Sequence, residues 1–107
     1  SASQVMDKWI REGKLPRAIL AANDDMAYGI IHALEAHGIK VPQEVAVCGF
    51  DGIQAPMSEK SVLTSVRQPL EAMGRASAET LVRLLEKKAI PPIQSKFNTE
   101  LIRGDTA

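Results

Sequence analysis

Residues 45–50 read Val-Ala-Val-Cys-Gly-Phe, an unbroken apolar run with no polar alternation. A strand with one wet face alternates, whereas a strand buried on both faces, usually in a parallel sheet, does not. Parallel neighbours also need a crossover of a dozen or more residues between them. This chain supplies one. A second short apolar run, Ala18-Ile19-Leu20-Ala21-Ala22, lies upstream, and Met26, Ala27, Ile30, Ile31 and Leu34 recur between the two runs at helical spacing. Asn23-Asp24-Asp25 offers that helix an N-cap and first-turn carboxylates at the positive end of its dipole. His37-Gly38 offers a stop, with Gly38 at the left-handed C′ position. Residues 17–50 therefore read as strand, helix, strand, a βαβ unit.

The flanks fit the same α/β class. Val5, Met6, Trp9 and Ile10 mark one face of an N-terminal helix, with Ser3 as its expected N-cap and Gly13 as its end. Trp9 on that face reads as core. Residues 53–61 are loop-like, 62–66 form a third candidate strand, and Pro69 suits the first position of a long helix. Leu70, Met73, Gly74, Ser77, Leu81, Leu84 and Leu85 step along one face of that helix. Glu71, Arg75, Glu79 and Arg83 alternate in sign on the other, as a solvated face does. Residues 96–102 are a final strand candidate.

At 107 residues the chain is one ordinary domain, and its 13 basic and 13 acidic residues cancel. It thus carries no electrostatic footprint for phosphate and is a poor direct binder of nucleic acid or of an anionic membrane. No apolar run approaches the roughly 20 residues that span a bilayer, and no signal peptide is visible at the start. The single cysteine excludes an internal disulfide and favours a reducing compartment. Cys48, inside the apolar run, reads as a structural thiol. His32 and His37 lack the i, i+4 spacing of a helical metal pair. No zinc-ligand cluster, serine-hydrolase elbow, phosphate loop or dinucleotide fingerprint occurs. No catalytic residue, metal or cofactor is expected, and the chain reads as a binder.

In parallel α/β sheets ligands bind beyond the carboxyl ends of the strands. Asn23 follows the first strand and Asp51 the second, so the topology brings both to one rim. Gln68 follows the third candidate strand. Two amides and a carboxylate can give and take hydroxyl hydrogen bonds in pairs, which suits a neutral polyhydroxylated ligand better than a phosphate. Each residue also has a plain structural reading: Asn23 as an N-cap, Asp51-Gly52 as a turn, Gln68 as a helix entry.

Four stretches carry a family resemblance. P-R-A-I-L-A-A-N-D-D-M-A-Y-G at 16–29 resembles the P-x-A-I…N-D-x-M-A-x-G block of the lactose/galactose repressor (LacI/GalR) family. The segment 38–51 resembles its G-x-x-V-P-x-D-V-x-V-x-G-F/Y-D block, and 63–74 resembles L-T-T-V-x-Q-P…M-G. The ending Leu101-Ile102-Arg103-Gly104-Asp105-Thr106 resembles the closing L-I-x-R-x-S. The resemblance implies a Rossmann-like parallel sheet with flanking helices, of the periplasmic-binding-protein kind, in which two subdomains hinge around an effector cleft.

On that layout residues 1–61 are a βαβ core of the C-terminal subdomain, and 91–107 hold its return strand. Residues 62–90 are a crossover strand and helix normally packed on the N-terminal subdomain. The family's helix-turn-helix and N-terminal subdomain would precede this chain, and its helix near 69–88 would swing, swap or pack otherwise. Ligand contacts carry over to Asn23, Asp51, Gln68 and Leu70, although the family often has an aromatic where this chain has Leu70. A homodimer face carries over to Met26, Ile30 and Ala33 on the helix, and to Ala55 and Met57 in the loop. Exposed apolar residues on two faces of the 24–37 helix would be its physical sign. The implied function is the effector-binding and dimerisation part of a cytoplasmic transcription repressor. Its effector would be a sugar or related polyol, and operator DNA would be bound only through the N-terminal domain. A periplasmic sugar-binding protein of a transport system is the alternative. A small flavodoxin-like enzyme is disfavoured by the missing catalytic groups.

Overall fold

A computed structural model describes residues 1–53, 61–88 and 94–107. The chain divides into two compact units, Ser1–Arg67 with Glu100–Ala107, and Gln68–Thr99.

The first unit holds α1 (Ala2–Arg11), β1 (Ala18–Leu20), α2 (Asp24–Ala36), β2 (Ala46–Asp51), β3 (Thr64–Arg67) and, after the second unit, β4 (Glu100–Ile102). Its sheet runs in the order β1-β2-β3-β4. β1, β2 and β3 are parallel, and β4 is antiparallel to β3. The expected βαβ unit is present. β3 bonds to β2 from Cys48↔Thr64 to Asp51↔Arg67, so within this chain the first compact unit takes in this strand and runs to Arg67.

Helix ends follow local chemistry. α1 is capped by Ser1, not Ser3, because Gln4 completes a capping box: Ser1 Oγ accepts from Gln4 N, and Gln4 Oε1 accepts from the Ser1 amine at 2.7 Å. α2 ends in a Schellman motif. Gly38 has φ 73°, its amide donates to Glu35 O, and Ile39 N donates to Leu34 O.

The core gathers Met6 of α1, Ala27, Ile30, Ile31, Ala33 and Leu34 of α2, Val45, Val47 and Leu63. Trp9 and Ile10 pack against it, while Val5, expected on the inner face, is exposed. The expectation that the apolar strands are buried on both faces does not hold. Val47 is fully buried, but Leu20 in β1 is 73% exposed, and Cys48 and Phe50 are only half-buried. α1 and α2 pack into one core on the Val47 side, so only that side of the sheet is dry.

The ladder between β2 and β3 is continued by the C-terminal tail. Val47 N donates to Thr106 O, and the Thr106 hydroxyl donates to Val47 O at 2.7 Å and accepts from Thr64 N at 2.9 Å. Thr64 Oγ1 in turn accepts from Gly104 N, and Asp105 closes on Val62 through both its amide and its carboxylate. One threonine thus stands in for a strand residue where β2 and β3 diverge. A side chain at Gly104 would run into the Val62–Leu63 backbone.

The second unit is α3 (Leu70–Leu85) and the stretch that follows it. Pro69 is the N-cap rather than the first helical residue. None of the helix is buried; Leu81 is 57% and Leu85 75% exposed. Ser95 and Phe97 lie along its Met73, Ser77, Leu81 and Leu84 side, leaving a groove of about 370 Å³. Glu71 and Arg75 pair at 3.3 Å on the solvated side.

Candidate functional site

The carboxyl ends of β1 and β2 form the rim where a ligand site is expected. Leu20 pairs with Cys48, and Asn23 and Asp51 each lie three residues further on. The two parallel strands therefore deliver an amide and a carboxylate to the same edge of the first unit. Asn23 is half-buried and caps α2: its Oδ1 accepts from Met26 N at 2.8 Å. The plain capping role is real, yet it uses only the oxygen and leaves both Nδ2 donors for other partners. Asp51 is half-buried too, and its backbone has φ 117°, a region that favours glycine. Gly52, at φ 73°, completes a turn in which a Cβ would meet Arg67 Cα at 2.6 Å.

Gln68 and Leu70 belong to the second unit, where they line one open depression of about 590 Å³ beside Glu71 and Arg75. Of the residues expected at a dimer face, Ile30 and Ala33 are 6% and 8% exposed and sit in the chain's own core. α2 does not show the expected apolar residues on two exposed faces, because Ile30 and Ala33 belong to the buried core cluster with Met6, Ile31 and Leu34. Met26, 42% exposed, remains accessible, and Ala55 and Met57 lie outside the described residues.

Beneath the rim lies a residue that sequence reading had placed only in a first helical turn. Asp24 is 3% exposed. Its Oδ1 accepts from the Ser65 hydroxyl at 2.5 Å, and its Oδ2 accepts from Ile53 N at 2.7 Å. Ser65 Oγ also accepts from Gly52 N at 3.2 Å. Gly49 makes the room: a Cβ there would collide with Asp24 Oδ1 and touch Leu63 Cδ2 at 3.0 Å. A glycine inside an apolar strand is the one sequence signal that something approaches closely.

Cys48 is half-buried, and burial first, then the charge of Asp24, pushes its thiol above the ordinary range. Such a thiol is poorly suited to nucleophilic work at neutral pH. Among the described residues no group of three His, Cys, Asp or Glu side chains could hold a metal ion, and no helix is long and apolar enough to cross a membrane.

The whole chain, residues 1–107, matches the model of the periplasmic binding protein-like domain. The chain belongs to this family. Within it, the HTH-type transcriptional repressor MelR of Bacillus subtilis is 33% identical over 100 residues, which are 94% of this chain and 29% of the repressor. A solved complex of the transcriptional regulator CelR with cellobiose superimposes with a TM-score of 0.85 at 31% identity, over 100% of this chain and 33% of that one. The dimeric Lac repressor, in a form with an 11-residue C-terminal deletion, superimposes with a TM-score of 0.85 at 27% identity, over 99% of this chain and 39% of that one. These likenesses bear out the LacI/GalR resemblance of the four sequence blocks and the α/β fold of the periplasmic-binding-protein kind. The chain spans about a third of the length of the proteins it matches.

Proposed function

We propose that this chain is the C-terminal part of the effector-binding domain of a LacI-type transcription repressor, and that its effector is a sugar or related polyol. The observation that carries the reading is the paired rim of Asn23 and Asp51. An amide donor and a carboxylate acceptor come to one sheet edge, in a fold that superimposes on a regulator holding cellobiose. Asp51 accepts from sugar hydroxyls and Asn23 donates to them. Effector binding acts on DNA affinity by stabilising one of two conformations of the dimer more than the other. Residues 68–88 belong to the crossover toward the N-terminal subdomain. The protein is not an enzyme, works in the cytoplasm, and dimerises with Met26 at the described part of the interface. Kinship with repressors and regulators favours this reading over a transport component.

The test uses the intact regulator on its own promoter DNA, titrated with cellobiose and then other mono- and disaccharides. Asp51→Asn should keep DNA binding and raise the sugar concentration for half-release by about tenfold to a hundredfold, the value of a hydrogen bond to a charged group. An unchanged sugar response refutes the role of Asp51. DNA release by none of the sugars refutes the sugar class.

A further inference from the structure

The geometry points to Asp24 as a positioning residue that holds Asp51 in its binding conformation and ties it to Asn23; this rests on the reading of Asp51 and Asn23 as effector contacts.

A non-glycine residue at φ 117° persists only where its surroundings over-determine it. On one side of Asp51 the ladder does so, through its register with Arg67. On the other side the next two amides are both anchored. Gly52 N donates to Ser65 Oγ, and Ile53 N donates to Asp24 Oδ2. The Ser65 hydroxyl passes its own proton into a bond with Asp24 Oδ1, so both anchors end on one carboxylate. Asp24 and Ser65 are 3% and 2% exposed, so this anchor is held by packing as well as by hydrogen bonds. Bonds to a charged acceptor away from water are the strong class.

Asp24 is also the residue after Asn23 and the first residue of α2. One buried carboxylate therefore fixes where α2 begins, with Asn23 at its cap, and where the chain goes after Asp51. The ring is local to the first unit and spans sequence separations of 29 and 41 residues. Rim groups held this way reach a ligand without first being ordered, which is what preorganised recognition requires.

The experiment is NMR on the 107-residue chain with no sugar present, comparing Ser65→Ala, Asp24→Asn and the conservative Ser65→Thr. A φ of 117° gives Asp51 a small three-bond amide–α-proton coupling, and an ordinary extended strand gives a large one. Ser65→Ala and Asp24→Asn should move that coupling toward the large value. They should also speed amide exchange at Gly52 and Ile53 by about tenfold or more. Ser65→Thr should restore both, and couplings in residues 46–49 should not change. A role in stability alone would lower the melting temperature and leave the native coupling of Asp51 where it was. That result, in folded Ser65→Ala and Asp24→Asn chains, overturns the proposal. Should the alanine variant not fold, Ser65→Cys keeps the volume with a weaker hydrogen bond and reads the same coupling.

In the intact regulator Ser65→Ala should raise about tenfold the half-release concentration of whichever tested mono- or disaccharide releases the unmutated protein from DNA. A displaced Asp51 together with a sugar response indifferent to Asp51→Asn overturns the effector reading. An undisplaced Asp51 overturns the positioning role.

Discussion

Removing the Thr106 hydroxyl is the sharpest test of how the first unit is held together. Thr106→Val keeps the shape and the backbone bond from Val47 N to Thr106 O. It deletes the oxygen that donates to Val47 O at 2.7 Å and accepts from Thr64 N at 2.9 Å. Thr106 is 3% exposed and Val47 fully buried, so water cannot replace those partners without opening the sheet. A buried backbone group left without a partner costs about 1–3 kcal/mol. Two such groups, sharing one relaxation, should cost about 2–4 kcal/mol. For a chain this size the urea slope is about 1–3 kcal/mol per M, so the midpoint should fall by roughly 1–2 M. Trp9, the single tryptophan, packs against the core and reports the transition by fluorescence. Thr106→Ser keeps the hydroxyl and should lose much less. A loss below about 0.5 kcal/mol in Thr106→Val, with the slope unchanged, would refute the view that this hydroxyl splices β2 to β3.

Three further outcomes follow from the packing and from the thiol. Gly49→Ala forces its methyl against Asp24 Oδ1 and Leu63 and should cost at least about 1–3 kcal/mol by urea unfolding. Ile30→Ala should cost about 2–5 kcal/mol as a core cavity, whereas Met26→Ala should leave stability within about 0.5 kcal/mol and weaken only self-association in sedimentation. Cys48 should react with a disulfide reagent more slowly than a free thiol at pH 8, and accelerate only above the ordinary cysteine range. Because its folded pKa is raised, the unfolded thiol ionises first. The stability it contributes is present below the unfolded pKa and lost as pH rises through the folded one.

The βαβ unit was legible because it is written locally. Asn23 caps its own helix three residues on, and Gly38 closes the same helix within its last turn. The rim was legible for a topological reason, since parallel strands put their next residues on one edge. What escaped depends on distance along the chain. Nothing near Asp24 distinguishes it from Asp25, and only Ser65 and Ile53, 41 and 29 residues away, make one carboxylate buried and leave the other exposed. The apolar run 45–50 suggested two dry faces, but apolar residues also occupy wet surfaces, and Leu20 does so here. Ile30 and Ala33 carry the spacing of an interface as well as that of a core. Periodicity cannot separate the two, and only the assembled core around Met6, Ile31 and Leu34 shows them buried.

The threonine splice has a consequence for how the chain is made. Val47 waits for a partner 59 positions later, and the whole second unit is synthesised in between. At about 5–20 residues per second that interval is several seconds, long against the formation of a helix or a hairpin. A nascent chain that already carries β1, α2 and β2 must hold Val47 N–H and C=O without their final partner until Thr106 has left the ribosome. Residues 48–51 of β2 can pair with β3 early, but at Val47 the edge stays open to other strands during that time. Crowded synthesis is thus a stage at which the Val47 end of this sheet is exposed to mispairing.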